Sequence, residues 1–259
     1  MPRLLACLLL ALCGVAEAAE RVVTLAPSLT EIVVELGAAD RLVGVLDAGE
    51  RPAALKGLPS VGRYGQLDME RLLSLKPDLL LLWPDSVGAA QLEQLRRFGI
   101  PTYVAEPHDL DELIVQVEAI AVRLGLAEQG RRHAVALREQ LASLRQRYRR
   151  SDPLPVFYQI WDKPLYTVGG RQIISDALQA CGARNIFADL ALPAPQVNLE
   201  TVLQRRPEAI LATRQNQLDT WKAWPHGRLL LVTDDGLERP SGQMIGATAK
   251  LCALIAPER

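Results

Sequence analysis

Two patterns of apolar and polar residues alternate along the chain. Short β-branched or leucine-rich runs are interleaved with amphipathic stretches, beginning with RVVTLAP, TEIVVELGAAD, RLVGVLD, LDMERLLSLKP and DLLLLW. The first kind of run is typical of strands and the second of helices. Runs such as DLLLLW are apolar on consecutive residues, which indicates a sheet covered on both faces, as parallel sheets are. The pattern therefore predicts an α/β fold.

The alternation is interrupted once, from Asp109 to about Arg149, where apolar residues recur at helical spacing in a long region broken near Gly125 and Gly130. It then resumes with VFYQIWD, IISDALQACG, EAILAT and LLLVTDD. We therefore expect two Rossmann-like lobes, each a small, mainly parallel sheet flanked by helices, joined by one long backbone helix. The predicted segments are a signal peptide (1–18), an N-terminal α/β lobe (19–108), a linking helix region (109–150) and a C-terminal α/β lobe (151–259).

One segment occurs twice, as LDMERLLSLKPDLLLLW and as VNLETVLQRRPEAILAT, at an offset of 130 residues that takes Glu70 to Glu200. Each copy has an Asp or Asn suited to cap a helix, a glutamate two residues later that complements the helix dipole, and a proline that ends the helix before a buried strand. Such a unit is common in α/β folds, so the similarity also has a purely architectural explanation. The glutamate at the same step in both copies favours a two-point contact with a partner.

The N-terminus predicts an exported protein. In MPRLLACLLLALCGVAEAAE, Arg3 precedes an apolar run and then small residues, as in a secretory signal peptide cleaved after about Ala18. The run is shorter than the roughly 20 residues that span a bilayer, so we expect a soluble mature protein. Leu12, before Cys13, stands where a lipobox has a small residue, which disfavours a lipid anchor.

Cleavage at this site would leave two cysteines, Cys181 and Cys252, each on a predicted helix of the C-terminal half. An exported compartment permits them to pair. Two buried free thiols are the alternative.

Charge and motif content exclude several function classes. With 29 basic and 30 acidic residues, the net charge of −1 gives no electrostatic case for nucleic acid. The common hydrolase, metalloprotease, dinucleotide and phosphate-loop motifs do not occur, and His108, His133 and His226 lack metal-ligand spacing. An exported α/β hydrolase that uses Ser28 or Asp235 remains only a remote alternative.

Aromatic residues are few, at 5%, but several lie at the predicted carboxyl ends of strands, where α/β sheets place their ligands. Tyr64 lies in the glycine-flanked loop VGRYGQ, Trp83 ends a strand, and YQIWDKPLY carries Tyr158, Trp161 and Tyr166. Their rings offer flat, rigid faces for a flat ligand. Tyr158 and Trp161 also fit a purely structural role as core or hairpin residues.

Four stretches resemble a known family: RVVTLAPSLTEIVVELGAADRLVGV, LPSVGRYGQLDMERLLSLKPDLLLLW, CGARNIF and PQVNLETVLQRRPEAIL. They are similar to the periplasmic binding proteins that serve metal-chelate ABC importers, in particular those for cobalamin. The resemblance runs from about Arg21 to Ile255.

The resemblance implies two lobes that close little, with a corrinoid held in the cleft between them and delivered to an inner-membrane ABC permease dimer with its ATPase. It places Tyr64 as a stacking aromatic and Trp83, Asp235 and Arg239 at other positions of the cleft. Together with the aromatics above, the predicted ligand-binding residues are Tyr64, Trp83, Trp161, Tyr166, Asp235 and Arg239.

The resemblance also implies roles for two residue pairs outside the cleft. In this family a glutamate on each lobe docks into a basic pocket of a permease subunit, and by position these residues are Glu70 and Glu200. CGARNIF and AKLCALI match the family's paired cysteines, which supports a disulfide between Cys181 and Cys252.

The chain departs from the family pattern at Ala48, Ala194 and Gly236, where the resemblance leads us to expect aromatic residues. The pocket wall is therefore expected to be altered, with Trp161 and Tyr166 as candidates to compensate.

The altered wall keeps haem and siderophores open as alternative ligands, with Tyr64 as an iron ligand only in the case of haem. Apart from that, we expect no metal site, no catalytic residues and no catalytic cofactor. We expect a monomeric periplasmic protein that carries cobalamin as cargo and is not an enzyme.

Overall fold

The structure, a computed structural model, describes residues 18–47, 51, 55–223 and 227–256. Residues 1–17 of the predicted signal peptide, Ala48 and His226 lie outside the described residues. The strands are β1 (Val22–Thr24), β2 (Leu42–Asp47), β3 (Ser60–Arg63), β4 (Gln66–Leu67), β5 (Leu79–Leu82), β6 (Thr102–Val104), β7 (Leu154–Asp162), β8 (Leu165–Thr167), β9 (Ala183–Asn185), β10 (Ala209–Ala212) and β11 (Arg228–Leu231). The α-helices are α1 (Pro27–Glu35), α2 (Met69–Ser74), α3 (Ala89–Arg97), α4 (Leu110–Arg123), α5 (Ala127–Arg147), α6 (Ile173–Ala180), α7 (Leu199–Gln204), α8 (Gln215–Asp219) and α9 (Gln243–Ile255).

Two sheets confirm the predicted two-lobed α/β fold. In the first, the strand order is β4-β3-β2-β1-β5-β6, with every pair parallel except β3 and β4. In the second, the order is β11-β10-β7-β8; β9 pairs in parallel with the start of β7, and β8 antiparallel with its end. Parallel strands point their carboxyl ends to one edge, so each sheet has one edge at which ligands can be held.

The consecutive leucines of β5 are explained by burial on both faces of the sheet. Because successive side chains of a strand point to opposite faces, Leu79 and Leu81 join a central core while Leu80 and Leu82 join a second core on the outer face. β10 repeats this arrangement, since Leu211 lies in the central core and Ile210 in an outer one. The central core therefore receives residues from both sheets.

The linking region, for which the sequence predicts one long helix, consists of two antiparallel helices. Gly125 divides it, with a φ of +66° that favours glycine, at the point where α4 ends. The longer helix, α5, has 21 residues, and Gly130 lies within it and does not break it. A Cβ at Gly130 would come within 2.2 Å of the Ala121 Cβ on α4, so this glycine allows the two helices to cross closely.

Each end of this helix pair is attached to a different lobe. At the turn between α4 and α5, the Ala19 N–H donates to the Arg123 carbonyl at 3.0 Å, and the Gln129 side chain donates to the Leu36 carbonyl at 2.8 Å. At the opposite end, the Leu110 N–H donates to Asp176 of α6 at 3.0 Å. The pair therefore bridges the first sheet to the second.

The sequence repeat is also a structural repeat. The α2 and α7 helices are capped by Asp68 and Asn198, which accept the N–H three residues on at 2.9 and 2.8 Å. Two residues after the end of each helix comes a non-glycine residue with positive φ, Lys76 at +46° and Arg206 at +49°, directly before the proline that precedes the next strand. The two copies of the repeat are therefore equivalent even in unusual backbone angles, which chance sequence similarity does not explain.

The structure contains the predicted disulfide between Cys181, directly after α6, and Cys252 within α9. It joins two helices that pack on each other, of which α6 also contacts β9 of the second sheet. Among the described residues, no helix is both long enough and apolar enough to cross a membrane.

The packing of two helical glycines gives a matched stability test. Gly130→Ala should destabilise the fold by about 1–3 kcal/mol, because its new Cβ overlaps Ala121 in a tight helix crossing. Gly246→Ala, within α9 and with no neighbouring atom within 4 Å, should instead stabilise it by about 0.5–1 kcal/mol. Urea unfolding measures both, and equal effects of the two changes would contradict the proposed helix crossing.

Candidate ligand-binding face between the lobes

The carboxyl ends of the two sheets meet at a set of residues that we call the inter-lobe face. The first lobe contributes Tyr64 after β3 and Trp83 after β5, and the second lobe contributes the end of β7, its partner strand β8, and the segments that follow β10 and β11. The two ends are in direct contact, for example where the Arg239 Nη1 lies 2.8 Å from the Glu31 Oε1 on α1. The helix that follows β1 and the segment that follows β11 are therefore in contact across the two lobes.

In the first lobe, Tyr64 and Trp83 belong to loops that are hydrogen-bonded to each other. The Gly65 N–H donates to the Ser86 carbonyl at 3.0 Å, and the Ser86 hydroxyl donates to the Trp83 carbonyl at 2.6 Å. Tyr64 is 56% exposed, whereas Trp83 packs partly against the central core. The structure thus brings these two predicted residues to adjoining positions, with the Tyr64 ring free to contact a ligand.

Partial burial raises the pKa of the Tyr64 phenol, and the nearby Asp85 carboxylate raises it further. Both effects oppose loss of the phenolic proton. Tyr64 is therefore suited to stack or to donate a hydrogen bond in its neutral form.

In the second lobe, the hairpin of β7 and β8 carries two aromatic residues side by side. Trp161 is directly opposite Tyr166 in this antiparallel pair, which places both side chains on one face of the hairpin. Trp161 is 45% exposed, and the Arg214 guanidinium lies 5.1 Å from the centroid of its ring. A cation at this distance is attracted to the face of the indole, so Arg214 helps to orient Trp161.

The segment after β11 adds charged groups to the face. The Arg239 Nη2 lies 3.5 Å from the Asp235 carboxylate, whose side chain is 82% exposed. Desolvation raises the pKa of Glu238, and Asp235 raises it further, whereas Arg214 and Arg239 lower it. Acidic and basic groups here are interspersed, so the face carries no block of one charge.

Tyr158 does not belong to the inter-lobe face. It is fully buried in the central core, where burial and the charge of Glu238 raise the pKa of its phenol. Its hydroxyl has no hydrogen-bond partner within the described parts of the chain. The core role that the sequence left open is therefore correct for Tyr158, whereas Trp161 lies exposed on the β7–β8 hairpin.

Two departures from the expected aromatic wall can be placed. Ala194 is exposed, and Gly236 lies in a short 3₁₀ segment, Asp235–Glu238. A Cβ at Gly236 would lie 2.8 Å from the Asp234 Oδ1, which accepts the Gly236 N–H, and 3.1 Å from the Ala247 Cβ. An aromatic residue at this position would require its neighbours to move.

Glu70 and Glu200 lie in the first turns of α2 and α7, and both are exposed. The Gln204 side chain donates to Glu200 at 3.3 Å, and Glu70 has no ion pair within the portion of the chain described. No cluster of three or more His, Cys, Asp or Glu residues able to hold a metal occurs among the described positions.

Comparison with known proteins decides the family. The model of the periplasmic binding protein family matches residues 22–224. The chain belongs to this family. It is 35% identical over 262 residues to the vitamin B12-binding protein of Yersinia pestis, a match that covers 99% of this chain and 94% of the relative.

Solved structures of family members extend the comparison. The periplasmic vitamin B12-binding protein BtuF of Vibrio cholerae is 31% identical with a TM-score of 0.80, and the match covers 91% of this chain and 96% of that structure. A periplasmic haem-binding protein from Pseudomonas aeruginosa is 26% identical with a TM-score of 0.76, covering 91% and 92%. The resemblance stated from sequence motifs is therefore confirmed.

Sequence reasoning missed three members of the face: Glu31, Arg214 and Glu238. Arg214 had a usable signal, because it follows the predicted strand EAILAT at its carboxyl end. Glu31 had none, since it lies within an amphipathic helix where a polar residue is expected anyway.

The raised pKa of Glu238 predicts a pH-dependent effect of its replacement. The folded state holds this proton more tightly than the unfolded chain, so its stabilising contribution is present at low pH and lost as pH rises through the raised pKa. Glu238→Gln should therefore be more stable than the unsubstituted protein at about pH 7 and lose that advantage by about pH 4. Urea unfolding across this range measures the difference, with Glu208→Gln, a change at an exposed glutamate, as the control for loss of one charge. A constant difference at all pH values would contradict it.

Proposed function

We propose that this chain is a periplasmic solute-binding protein that captures cobalamin or a related corrinoid between its lobes and delivers it to an inner-membrane ABC transporter, without chemistry of its own. The observation that carries the proposal is an exposed aromatic residue on each side of the inter-lobe face, Tyr64 and Trp161, in a chain that matches vitamin B12-binding relatives over nearly its whole length. The protein is exported, and its N-terminal signal peptide is removed after about Ala18.

The chemistry of the face fits a large, flat ligand with polar side groups. Tyr64, Trp83, Trp161 and Tyr166 offer ring faces, whereas Asp235 and the arginines offer hydrogen-bonding groups at the margin. Nanomolar affinity requires about −12 kcal/mol, and one stacked ring contributes only about 0.5–1.5 kcal/mol beyond its buried area. Capture therefore depends on many modest contacts rather than on one residue.

Haem is the second candidate, because a haem-binding family member is 26% identical to this chain. Tyr64 is the residue positioned to bind iron. Its environment disfavours this role, since burial and Asp85 both raise the pKa of the phenol and iron ligation requires the deprotonated form. The corrinoid is therefore the better-supported ligand.

Delivery to the transporter accounts for the repeat. The exposed glutamates Glu70 and Glu200 occupy equivalent first turns of two capped helices, and the repeat holds down to the backbone angles of Lys76 and Arg206. A permease dimer presents the same surface twice, so a binder with two equivalent acidic groups can contact both subunits in the same way. Glu70 and Glu200 are the proposed docking residues.

Titration of the mature protein with cyanocobalamin, and separately with haemin, tests the ligand. We expect one-to-one corrinoid binding in calorimetry. Trp161→Ala and Tyr64→Ala should each weaken it by about tenfold or more, because each removes a stacked ring and its buried area. Phe98→Ala is the matched control, since Phe98 is 53% exposed but lies after α3, before the amino end of β6. Haemin binding with a tyrosinate spectrum that Tyr64→Phe abolishes would replace the corrinoid as the ligand.

Replacement of both docking residues tests delivery. The Glu70→Gln, Glu200→Gln double variant should retain corrinoid affinity and lose most transporter-coupled uptake in reconstituted vesicles, because the charges that contact the permease are gone. Stability should fall only by about 0.3–1 kcal/mol per lost helix-dipole contact. Glu93→Gln, an exposed glutamate on α3, is the control for a general charge effect. Loss of ligand binding in the double variant would contradict a docking role.

A further inference from the structure

Two carboxylates of the first lobe reach across to the second lobe. Glu31 and Glu35 lie one turn apart on α1, and their side chains are only 15% and 14% exposed. The Glu31 carboxylate accepts hydrogen bonds from the Arg239 guanidinium at 2.8 Å and from the Ser241 hydroxyl at 3.0 Å. Charged groups buried to this degree require partners, and Glu31 finds them 208 and 210 residues further along the chain.

Glu35 provides the N-terminal cap of a helix in the other lobe. Its two oxygens accept the N–H groups of Gly242 at 2.9 Å and Gln243 at 3.1 Å, at the start of α9. No side chain from the flanking residues caps this helix. A carboxylate at a helix N-terminus satisfies free N–H groups and is stabilised by the helix dipole. The N-terminus of α9 is therefore completed only when the lobes are together.

Gly242 is required for space rather than for backbone freedom. Its φ of −57° and ψ of −29° are available to any residue. A Cβ there would lie 2.4 Å from the Glu35 Oε2 and 2.9 Å from the Nε2 of His133 on α5. Any side chain at position 242 would therefore overlap Glu35.

The contact is firmly connected to the rest of the second lobe. The disulfide between Cys181 and Cys252 ties α9 to the end of α6, which packs on the second sheet. Arg239 lies just before α9, at the inter-lobe face, and is held at its guanidinium by the same helix α1.

We infer that Glu31 and Glu35 are positioning residues that act as an inter-lobe latch: together with Arg239, Ser241, Gly242 and Gln243 they fix the separation of the lobes and orient Arg239 before ligand arrives. The part of this inference that concerns ligand rests on the proposed function, whereas the part that concerns lobe separation does not. The latch makes the site preformed, which lowers the ordering cost of binding and slows ligand release.

Lobe separation is tested first in the ligand-free mature protein. Spin labels on Gln94→Cys in α3 and Asn216→Cys in α8, both exposed positions, report the distance between the lobes by double electron–electron resonance. We expect a narrow distribution with the latch intact, and a broader or longer one with Glu35→Gln or Gly242→Ala. The glutamine amide would point a donor at a backbone N–H, and the alanine methyl would push against the carboxylate.

Glu118→Gln is the matched control. It removes a 3.0 Å ion pair with Arg138 that joins α4 to α5 and does not join the lobes. Its distance distribution should equal that of the protein with an intact latch. Unchanged distributions in both Glu35→Gln and Gly242→Ala would overturn the latch. Should Gly242→Ala fail to fold by circular dichroism, Glu35→Gln and Glu31→Gln decide the outcome.

A double-variant cycle checks that Gly242 and Glu35 act on each other. In a Glu35→Ala background, Gly242→Ala should widen the distance distribution little further, because the clashing carboxylate is already gone. If the two changes widened the distance distribution additively, Gly242 would act independently of Glu35 and would not belong to the latch.

Ligand release separates the latch from direct ligand contact. Glu31→Gln and Glu35→Gln should release cyanocobalamin about five- to tenfold faster than the unsubstituted protein and also alter the lobe distance. Trp161→Ala should weaken binding while leaving the distance unchanged. If the unsubstituted protein does not bind cyanocobalamin, the proposed function fails, yet the distance measurement still decides the latch. If it binds and the latch variants release ligand at the unaltered rate, the positioning role is wrong.

Discussion

The central hydrophobic core belongs to neither lobe alone. Leu81 of the first sheet, Leu211 of the second and Ile120 of the linking helices all belong to one continuous cluster. Separating the lobes would expose apolar surface at a cost of about 25 cal/mol per Å². This shared core holds the two lobes together, and the inter-lobe face can form only because they are held together.

Around this core, the repeated helix–strand unit occurs once in each lobe, and its two halves have different roles. The strands β5 and β10 that follow the repeated helices are buried on both faces and build the lobes, whereas the first turns of α2 and α7 remain exposed. Burial therefore explains the apolar half of the repeat. The repeated glutamates need a different explanation, since any acidic residue in the first turn would serve the helix dipole. The explanation that we propose is a partner with two equivalent contact points.

Several side chains of the inter-lobe face are held in place by contacts with other residues of the protein. Trp161 is held by Arg214 and paired with Tyr166, and Arg239 is held by Glu31, so the groups available to a ligand are already oriented by protein contacts. Such preorganisation suits a binding protein that must hold its cargo tightly and yet release it to a transporter. The two tasks are compatible if release is triggered by loosening the frame rather than by breaking one dominant contact.

The sequence by itself determined the elements, the two lobes, the repeat and the aromatic positions Tyr64 and Trp83, because periodicity, caps and strand ends are local properties. Together with the family resemblance it also indicated the pairing of Cys181 with Cys252. Only the tertiary structure decided that Gly130 lies where α4 and α5 cross and that Tyr158 is buried. The same holds for the hydrogen bond between Glu31 and Arg239, which are 208 residues apart in sequence. These depend on which faces of distant elements approach each other, and that is set by packing of the shared core, which no local pattern records.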